Sequence, residues 1–112
     1  MHNVIFYVRP NGKCPTKEFL NSISKGDLSK LTAWLQLLSE RGYSLIYPYS
    51  SNATKEIKYL RIRKGTMVYR IFYFFDKDKI VTVNGYVKKD MKLDPAEIER
   101  AERLKQEYLE NA

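Results

Sequence analysis

The spacing of apolar and polar residues predicts the elements in the first half of the chain. Asn3–Val8 is rich in β-branched and aromatic residues and is followed by the turn sequence Arg9–Gly12, so we predict a first strand there. A helix is predicted to begin at Pro15, because proline suits the first helical position. Apolar residues at helical spacing then predict a second helix, from an Asp27 cap to Arg41-Gly42.

Alternating and continuous apolar runs predict three strands in the second half. Tyr43–Thr54 contains a proline and a Ser-Ser-Asn run, and is predicted as a loop. A two-residue hairpin loop is predicted at Lys64-Gly65, with glycine supplying a positive φ. The predicted strands are Glu56–Arg63, Thr66–Phe75 and Lys79–Lys88, and the last two are joined by the polar turn Asp76–Asp78.

A third helix is predicted after the strands. Asp94 is expected to cap it, with Pro95 at the first helical position. One side of it is apolar and holds Ile98, Ala101, Leu104 (or Lys105) and Tyr108. The order β-α-α-β-β-β-α predicts one α+β domain over residues 1–112, with the helices against one face of an antiparallel sheet.

The distribution of charge adds a functional expectation. The chain of 112 residues carries a net charge of +7, and residues 55–92 alone hold eleven Lys/Arg against four Asp/Glu. The charges of the two flanks cancel, so the whole excess lies in the predicted strands and the loop after them. A concentrated basic patch is typical of a polyanion-binding surface, with nucleic acid the first candidate, or of a solubilising surface.

Composition excludes several other classes of protein. The longest apolar runs are far shorter than the roughly 18 residues of a membrane span, and the first residues show no secretory signal pattern. A single cysteine, Cys14, forms no intramolecular disulfide and fits a cytoplasmic location. One histidine and one cysteine do not make a structural zinc site, so we expect no metal and no cofactor.

Three arginines are expected on one face of the strands. Strand alternation places Tyr59, Arg61 and Arg63 together, and the predicted hairpin pairs Tyr59 with Arg70 on that same face. A charge in a strand as apolar as Val68–Phe75 is either salt-bridged or exposed on a functional face. Converging guanidinium groups would suit a phosphate, which arginine binds with two hydrogen bonds.

The register of the last strand is left with two alternatives. A regular ladder places Val83, Gly85 and Val87 beside Arg70, whereas an odd loop or a bulge places Asn84, Tyr86 and Lys88 there. We prefer the bulged register because it gathers the polar residues on one face. Tyr86 would then stack on an RNA base or serve as a packing residue.

Lysines cluster after the last strand, and the common catalytic sets are missing. Lys88, Lys89 and Lys92 form a cluster of cations. Neighbouring cations depress each other's pKa, which would allow one lysine to act as a base. The alternative is that all three lysines are simply solvated. His2 is the only histidine, which excludes two-histidine acid–base chemistry. No Ser-His-Asp set and no phosphate-binding glycine loop is found.

Short motifs in a fixed order give the chain a family resemblance. The chain resembles the RelE/HigB toxin superfamily and, more narrowly, its phage-derived HigB-like branch. The motifs are Pro15-Thr16-Lys17-Glu18-Phe19-Leu20, Tyr59-Leu60-Arg61-Ile62, Tyr69-Arg70-Ile71-Phe72-Tyr73-Phe74, Asn84-Gly85-Tyr86-Val87-Lys88-Lys89 and Ile98-Glu99-Arg100-Ala101.

The resemblance implies a cytoplasmic toxin of a type II toxin–antitoxin pair, which cleaves mRNA in the ribosomal A site and is silenced by a helix-turn-helix antitoxin. The complex is expected to be of higher order and to bind its operator through the antitoxin. Many relatives have Glu where this chain has Tyr59, and His where it has Asn84. If those groups transfer protons in the relatives, this chain uses lysine, tyrosine or ribosomal RNA instead, or is a weaker nuclease.

We therefore predict a metal-independent mRNA interferase. The alternatives are a non-catalytic RNA- or ribosome-binding module and a partner-binding domain with a basic face. The predicted catalytic residues are Arg61, Arg70, Tyr86, Lys88 and Lys89, and the predicted RNA-binding residues are Lys58, Tyr59, Arg63, Lys64, Asn84 and Lys92.

Overall fold

The structure is a computed structural model that describes residues 1–111. Its elements follow one another in the order β-α-α-β-β-β-β-α, with a short 3-10 turn at Gly42–Ser44. The helices are α1 (Pro15–Asn21), α2 (Lys25–Arg41) and α3 (Pro95–Glu110), and the strands are β1 (Asn3–Phe6), β2 (Ser50–Asn52), β3 (Lys58–Lys64), β4 (Met67–Asp76) and β5 (Lys79–Lys88).

The five strands form one mixed sheet in the order β1-β5-β4-β3-β2. The class α+β is confirmed, but the prediction of a purely antiparallel sheet is wrong. β1 runs parallel to β5, with Asn3 opposite Lys79 and Phe6 opposite Thr82. The other neighbouring strands are antiparallel. Because β1 and β5 are far apart in the chain, nothing in their local patterns specifies their relative direction.

β2 lies in the segment that was predicted as a loop. Its residues Ser50–Asn52 pair antiparallel with β3, with Ser50 opposite Leu60. The strand has no apolar side chain, so the pattern of hydrophobic positions gives no sign of it. Its Ser50 hydroxyl is buried and hydrogen-bonded to the Tyr73 hydroxyl of β4.

Helices cover both faces of the sheet, so the prediction that they pack on one face is also wrong. α1 and α2 pack with Leu60, Ile62 and Ile71 on one face, and α3 packs with Phe72 and Phe74 on the other. We call these the α1/α2 face and the α3 face. β4 is buried from Val68 to Phe74 without interruption, and a strand that is apolar on both sides needs cover on both sides.

The helix starts agree with the sequence at two of three places. Asp94 caps α3 by accepting a hydrogen bond from Ala96 N at 3.0 Å, and proline occupies the first position of both α1 and α3. α2 begins earlier than predicted, after Ser24. Asp27 is then inside its first turn, and its carboxylate binds Lys64 and Tyr69 instead of capping the helix.

The hairpin between β3 and β4 is shifted from its predicted register. Its two loop residues are Gly65 and Thr66, and Gly65 has the expected positive φ of 60°. Arg61 therefore lies opposite Arg70, where the predicted partner was Tyr59. The total shift along the pair is two residues, an even number, so every side chain keeps its predicted face.

The hairpin between β4 and β5 has the preferred, bulged register. Tyr73 pairs with Thr82 and Phe72 pairs with Asn84, so Val83 is the extra residue on β5. Beyond the bulge, Arg70 lies opposite Tyr86. The bulge turns Asn84, Tyr86 and Lys88 towards the α3 face, as predicted.

Within residues 1–111, no helix is long and apolar enough to cross a membrane.

Candidate functional site

A row of three large side chains crosses the sheet on the α3 face. β3 supplies Arg61, β4 supplies Arg70 directly opposite it, and β5 supplies Tyr86 opposite Arg70. The segment after β5, Lys89–Leu93, passes over this row on its way to α3. We call this segment the basic loop.

Arg70 is fully buried, with 0% of its surface exposed. Its guanidinium donates to two backbone carbonyls of the basic loop, from Nη1 to Asp90 at 3.1 Å and from Nη2 to Met91 at 2.7 Å. Within residues 1–111, no carboxylate lies within 4.0 Å of it, and Nε has no hydrogen-bond partner. Neither predicted environment, a salt bridge or an exposed face, is therefore present, because the basic loop folds back over the guanidinium.

Two aromatic rings flank the buried arginine. The centroids of Tyr59 and Tyr86 lie 5.9 and 5.6 Å from the Arg70 Cζ. Tyr86 also stacks on Phe72, and its hydroxyl accepts from Asp94 N at 3.0 Å. With Tyr86 only 7% exposed, its ring has no open face on which a base could stack in this arrangement.

Arg61 is the accessible member of the row. Its guanidinium lies 5.8 Å from the ring centroid of Tyr47, and Nη2 lies 3.9 Å from the Met91 sulfur. Its backbone N–H donates to the Tyr49 carbonyl at 2.9 Å, which ties β3 to the loop before β2. Among residues 1–111, no carboxylate reaches Arg61 within 4.0 Å. Its charge is consequently available to an anion from outside the chain.

The lysines around the basic loop differ in their partners. Lys88 forms an ion pair with Asp94, and this hydrogen bond raises the pKa of Lys88 and lowers that of Asp94. The prediction that neighbouring cations lower the pKa of a lysine here is therefore wrong for Lys88, because its nearest charge is a carboxylate. Lys89 and Lys92 are exposed, and no carboxylate in the described part of the chain pairs with them.

The other predicted RNA-binding residues are not all on this surface. Arg63 is exposed on the α3 face, while Lys58 and Lys64 lie on the α1/α2 face, since they alternate with Arg61 along β3. Lys58 donates to the Asn52 side chain at 2.8 Å, and Lys64 pairs with Asp27. These two lysines are thus held away from the row of Arg61 and Arg70.

Asn84 is buried on the α3 face, below the start of α3. Its amide nitrogen lies 3.5 Å from a Glu97 carboxylate oxygen, and its own side-chain oxygen has no hydrogen-bond partner in the described part of the chain. His2 lies elsewhere, where its backbone N–H donates to Ser39 of α2. In residues 1–111, no group of three or more His, Cys, Asp or Glu side chains is arranged to hold a metal ion.

Sequence reasoning missed Tyr47 and Met91, whose side chains contact Arg61. Tyr47 belongs to the segment predicted only as a loop. Three tyrosines within seven residues, Tyr43, Tyr47 and Tyr49, are an unusual density of aromatic residues for a loop and could have drawn attention to it.

Comparison with known families agrees with these observations. The family described as Phage derived protein Gp49-like matches residues 18–106, which include every candidate residue and most of the chain, and the protein belongs to this family. The family is phage-derived and toxin-like, and it forms part of the RelE/HigB-like toxin superfamily. No curated protein matches the chain.

Proposed function

We propose that this protein is the toxin of a type II toxin–antitoxin pair and that it cleaves mRNA in the ribosomal A site. Membership of a toxin-like family supports the first part. The observation that carries the second part is Arg61, a half-buried guanidinium without a carboxylate partner among residues 1–111, in contact with a loop that bears two exposed lysines. Such a cluster suits the phosphates of a single RNA strand.

The proposed reaction is attack by a ribose 2′-OH on the adjacent phosphorus. The bond from O2′ to phosphorus forms and the bond from phosphorus to O5′ breaks, which leaves a 2′,3′-cyclic phosphate and a free 5′-OH. Negative charge grows on the phosphate oxygens, where Arg61 and Lys88 would stabilise it. These cations supply the positive charge, so the proposal invokes no metal ion and no cofactor.

The proton transfers fall to different groups. Because Asp94 raises the pKa of Lys88, this lysine stays protonated at neutral pH and suits the role of a phosphate ligand or of the acid that protonates O5′. Lys89 has no carboxylate partner within the described residues, and we propose it as the base that accepts the proton of the 2′-OH.

Arg70 would act as a positioning residue. Its two terminal nitrogens are occupied by the carbonyls of Asp90 and Met91, so in this conformation it fixes the basic loop instead of binding phosphate. Tyr59 and Tyr86 lie on its two sides and would help to hold its guanidinium in place. The lysines of the loop are thereby held beside Arg61 before RNA arrives, which favours catalysis through preorganisation.

The proposed partners follow from the same surface. An antitoxin with an acidic segment would neutralise the toxin by charge complementarity with Arg61 and the basic loop. The toxin–antitoxin complex would bind its operator through a helix-turn-helix domain of the antitoxin, and the free toxin would work in the cytoplasm, where the ribosomes are.

The test is induced expression of the wild type, Arg61→Ala and the control Arg103→Ala, an exposed arginine of α3. The wild type and the control should arrest growth and cut mRNA in primer extension, leaving 5′-OH ends. Arg61→Ala should lower the cleavage rate about 100-fold or more, as expected for loss of one donor to a transition-state oxyanion.

Intact mRNA with the wild type would contradict the proposed activity. If purified wild type binds translating ribosomes but leaves no cleavage product, the non-catalytic RNA-binding module is the better description. If it binds neither RNA nor ribosomes and captures only the antitoxin, the basic face is a protein-docking surface.

A further inference from the structure

Tyr47 is an exposed aromatic side chain on an anchored loop. It is 68% exposed, while Leu45, two residues before it, is 3% exposed and fixed in the core. After it, the Tyr49 N–H donates to the Ile46 carbonyl at 3.0 Å and the Tyr49 carbonyl accepts from Arg61. A large apolar ring is therefore held in solvent by a loop that is fixed at both ends.

Tyr47 contacts an arginine that also contacts a methionine of the basic loop. Arg61 lies over its ring, and on the other side the same guanidinium contacts Met91, which is 52% exposed. Arg61 thus joins the Tyr47 loop to the basic loop, which carries Lys89 and Lys92. An aromatic ring in contact with an arginine, next to a loop that carries two lysines, has the composition of surfaces that bind single-stranded nucleic acid.

The other aromatic rings near the arginine row are already occupied. Tyr59 and Tyr86 flank Arg70, and Tyr86 also stacks on Phe72. Both rings pack against Arg70 beneath the basic loop and are therefore not available for stacking on a base. Tyr47 is the ring next to Arg61 with most of its surface open to a ligand.

We propose that Tyr47 and Arg61 form a nucleotide subsite, in which Arg61 binds an RNA phosphate and Tyr47 stacks on the neighbouring base. The inference rests on the proposed function and moves the base-stacking role from Tyr86 to Tyr47. Stacking on one ring tolerates any base, because every base has a π face. The subsite would therefore fix the position of the strand without dictating its sequence.

A single RNA strand fits this surface better than a protein partner does. No carboxylate in residues 1–111 pairs with Arg61, Lys89 or Lys92, so a ligand must bring the negative charge next to a flat apolar group. A nucleotide provides both within one residue. A protein that docked here would need an acidic and an apolar side chain at matched positions.

The test measures binding of a fluorescein-labelled, eight-nucleotide single-stranded RNA by fluorescence anisotropy at low salt. The variants are Tyr47→Ala, Tyr47→Phe and, as a matched control, Tyr43→Ala. Tyr43 is 65% exposed as well, but it stacks on Phe75, at the opposite end of β4 from Arg70. Circular dichroism and thermal melting confirm that each variant is folded.

Tyr47→Ala should weaken RNA binding about tenfold or more, the effect of losing one base–aromatic stack. Tyr47→Phe and Tyr43→Ala should bind within about twofold of the wild type. A 2-aminopurine base in the RNA should lose fluorescence on binding the wild type and Tyr47→Phe, and should keep it with Tyr47→Ala.

A probe without bases separates stacking from charge. Inorganic polyphosphate should bind Tyr47→Ala and the wild type equally, while Arg61→Ala should weaken the binding of both polyphosphate and RNA. If Tyr47→Ala weakens both probes equally, Tyr47 acts only by placing Arg61, and the stacking subsite is overturned.

Further outcomes distinguish this inference from the proposed function. If Arg61→Ala weakens RNA binding and Tyr47→Ala does not, the stacking subsite falls and the proposed RNA surface stands. If the wild type does not bind the free RNA but still cuts mRNA in primer extension, the subsite falls and the proposed function stands. If Tyr47→Ala leaves RNA binding intact and abolishes only antitoxin capture, the patch is a protein-docking site and the inference is wrong.

Discussion

At the scale of single residues, the buried charge of Arg70 is stabilised without a counter-ion from residues 1–111. Carbonyl dipoles of the basic loop accept from its terminal nitrogens, and the faces of two tyrosine rings lie on either side of it. Hydrogen bonds to a charged group and cation–π contacts gain strength when water is excluded. The loop supplies the carbonyls, so the conformation of the loop and the burial of the arginine depend on each other.

This dependence predicts that Arg70→Ala is a stability variant. It leaves the carbonyls of Asp90 and Met91 without their donor and opens space between two rings, which should lower the free energy of unfolding by about 2–4 kcal/mol. Arg70→Lys should recover only part of this, because an ammonium group lacks the planar fork that reaches both carbonyls. Urea denaturation measures the free energy, and trypsin cleavage after Lys89 or Lys92 should be faster in both variants.

The control is Arg63→Ala, which changes an exposed arginine on the same face of the sheet. Its free energy of unfolding should stay within about 0.5 kcal/mol of the wild type. If Arg70→Ala is as stable as this control, Arg70 does not hold the basic loop. Because Arg70 is needed for stability, loss of toxicity in Arg70→Ala would not identify a phosphate ligand, and Arg61 is the better residue on which to test the chemistry.

At the scale of elements, local patterns predicted the pieces that depend on neighbouring residues. The caps and prolines gave the start of α3, and period-two alternation gave the shared face of Arg61 and Arg70. Arg61 and Arg70 keep their shared face although the predicted β3–β4 register is wrong, because the register differs by an even number of residues. The same alternation already separates Lys58 and Lys64 from Arg61, so their position on the α1/α2 face was predictable.

Other features depend on contacts between distant segments and have no local pattern. β1 pairs with β5 across most of the chain. The Ser-Ser-Asn sequence of β2 becomes a strand only because β3 offers it an edge. The cover over Arg70 comes from a loop twenty residues further on, whose backbone carbonyls accept the hydrogen bonds whatever its side chains are.

The hydrogen bond between Ser50 and Tyr73 should fix β2 to the sheet. Both hydroxyls are buried, and burial raises the pKa of Tyr73, so its proton remains in place at physiological pH. Ser50→Ala or Tyr73→Phe alone leaves one buried hydroxyl unpaired and should lower the free energy of unfolding by about 1–3 kcal/mol. The double variant has no unpaired group and should be less destabilised than the sum of the two single variants.

A double-mutant cycle by urea denaturation measures this coupling, which should be about 1 kcal/mol. Tyr69→Phe provides a matched control, since its hydroxyl binds Asp27 in α2 and not β2. Its effect should add to that of Ser50→Ala without coupling. Additive effects in the Ser50 and Tyr73 cycle would show that β2 is held by its backbone pairing alone.

At the scale of the whole molecule, ion pairs reduce the basic surface to fewer residues than the sequence count indicates. Lys64, Lys88 and Lys105 are paired with Asp27, Asp94 and Glu56. Within residues 1–111, the accessible cations without such partners near the arginine row are Arg61, Arg63, Lys89 and Lys92. These four cations define one centre of the charge of residues 55–92, where β3 meets the basic loop.

This centre predicts how RNA binding depends on salt. If Arg61, Arg63, Lys89 and Lys92 each neutralise one phosphate, the logarithm of the affinity should fall with the logarithm of the salt concentration with a slope of about −3 for single-stranded RNA. The double variant Lys89→Ala/Lys92→Ala should change the slope to about −1.5, because two counterions fewer are released. Anisotropy titrations of the eight-nucleotide RNA between low and physiological salt give both slopes.

The matched control is Lys13→Ala/Lys79→Ala, which removes two exposed lysines that lie outside the basic loop. It lowers the net charge by the same amount and should leave the slope at about −3, since those lysines meet no phosphate. If both double variants change the slope equally, RNA responds to the net charge of the whole protein. A change confined to Lys89 and Lys92 would instead place the bound strand over the basic loop, next to Arg61, where the proposed cleavage requires it.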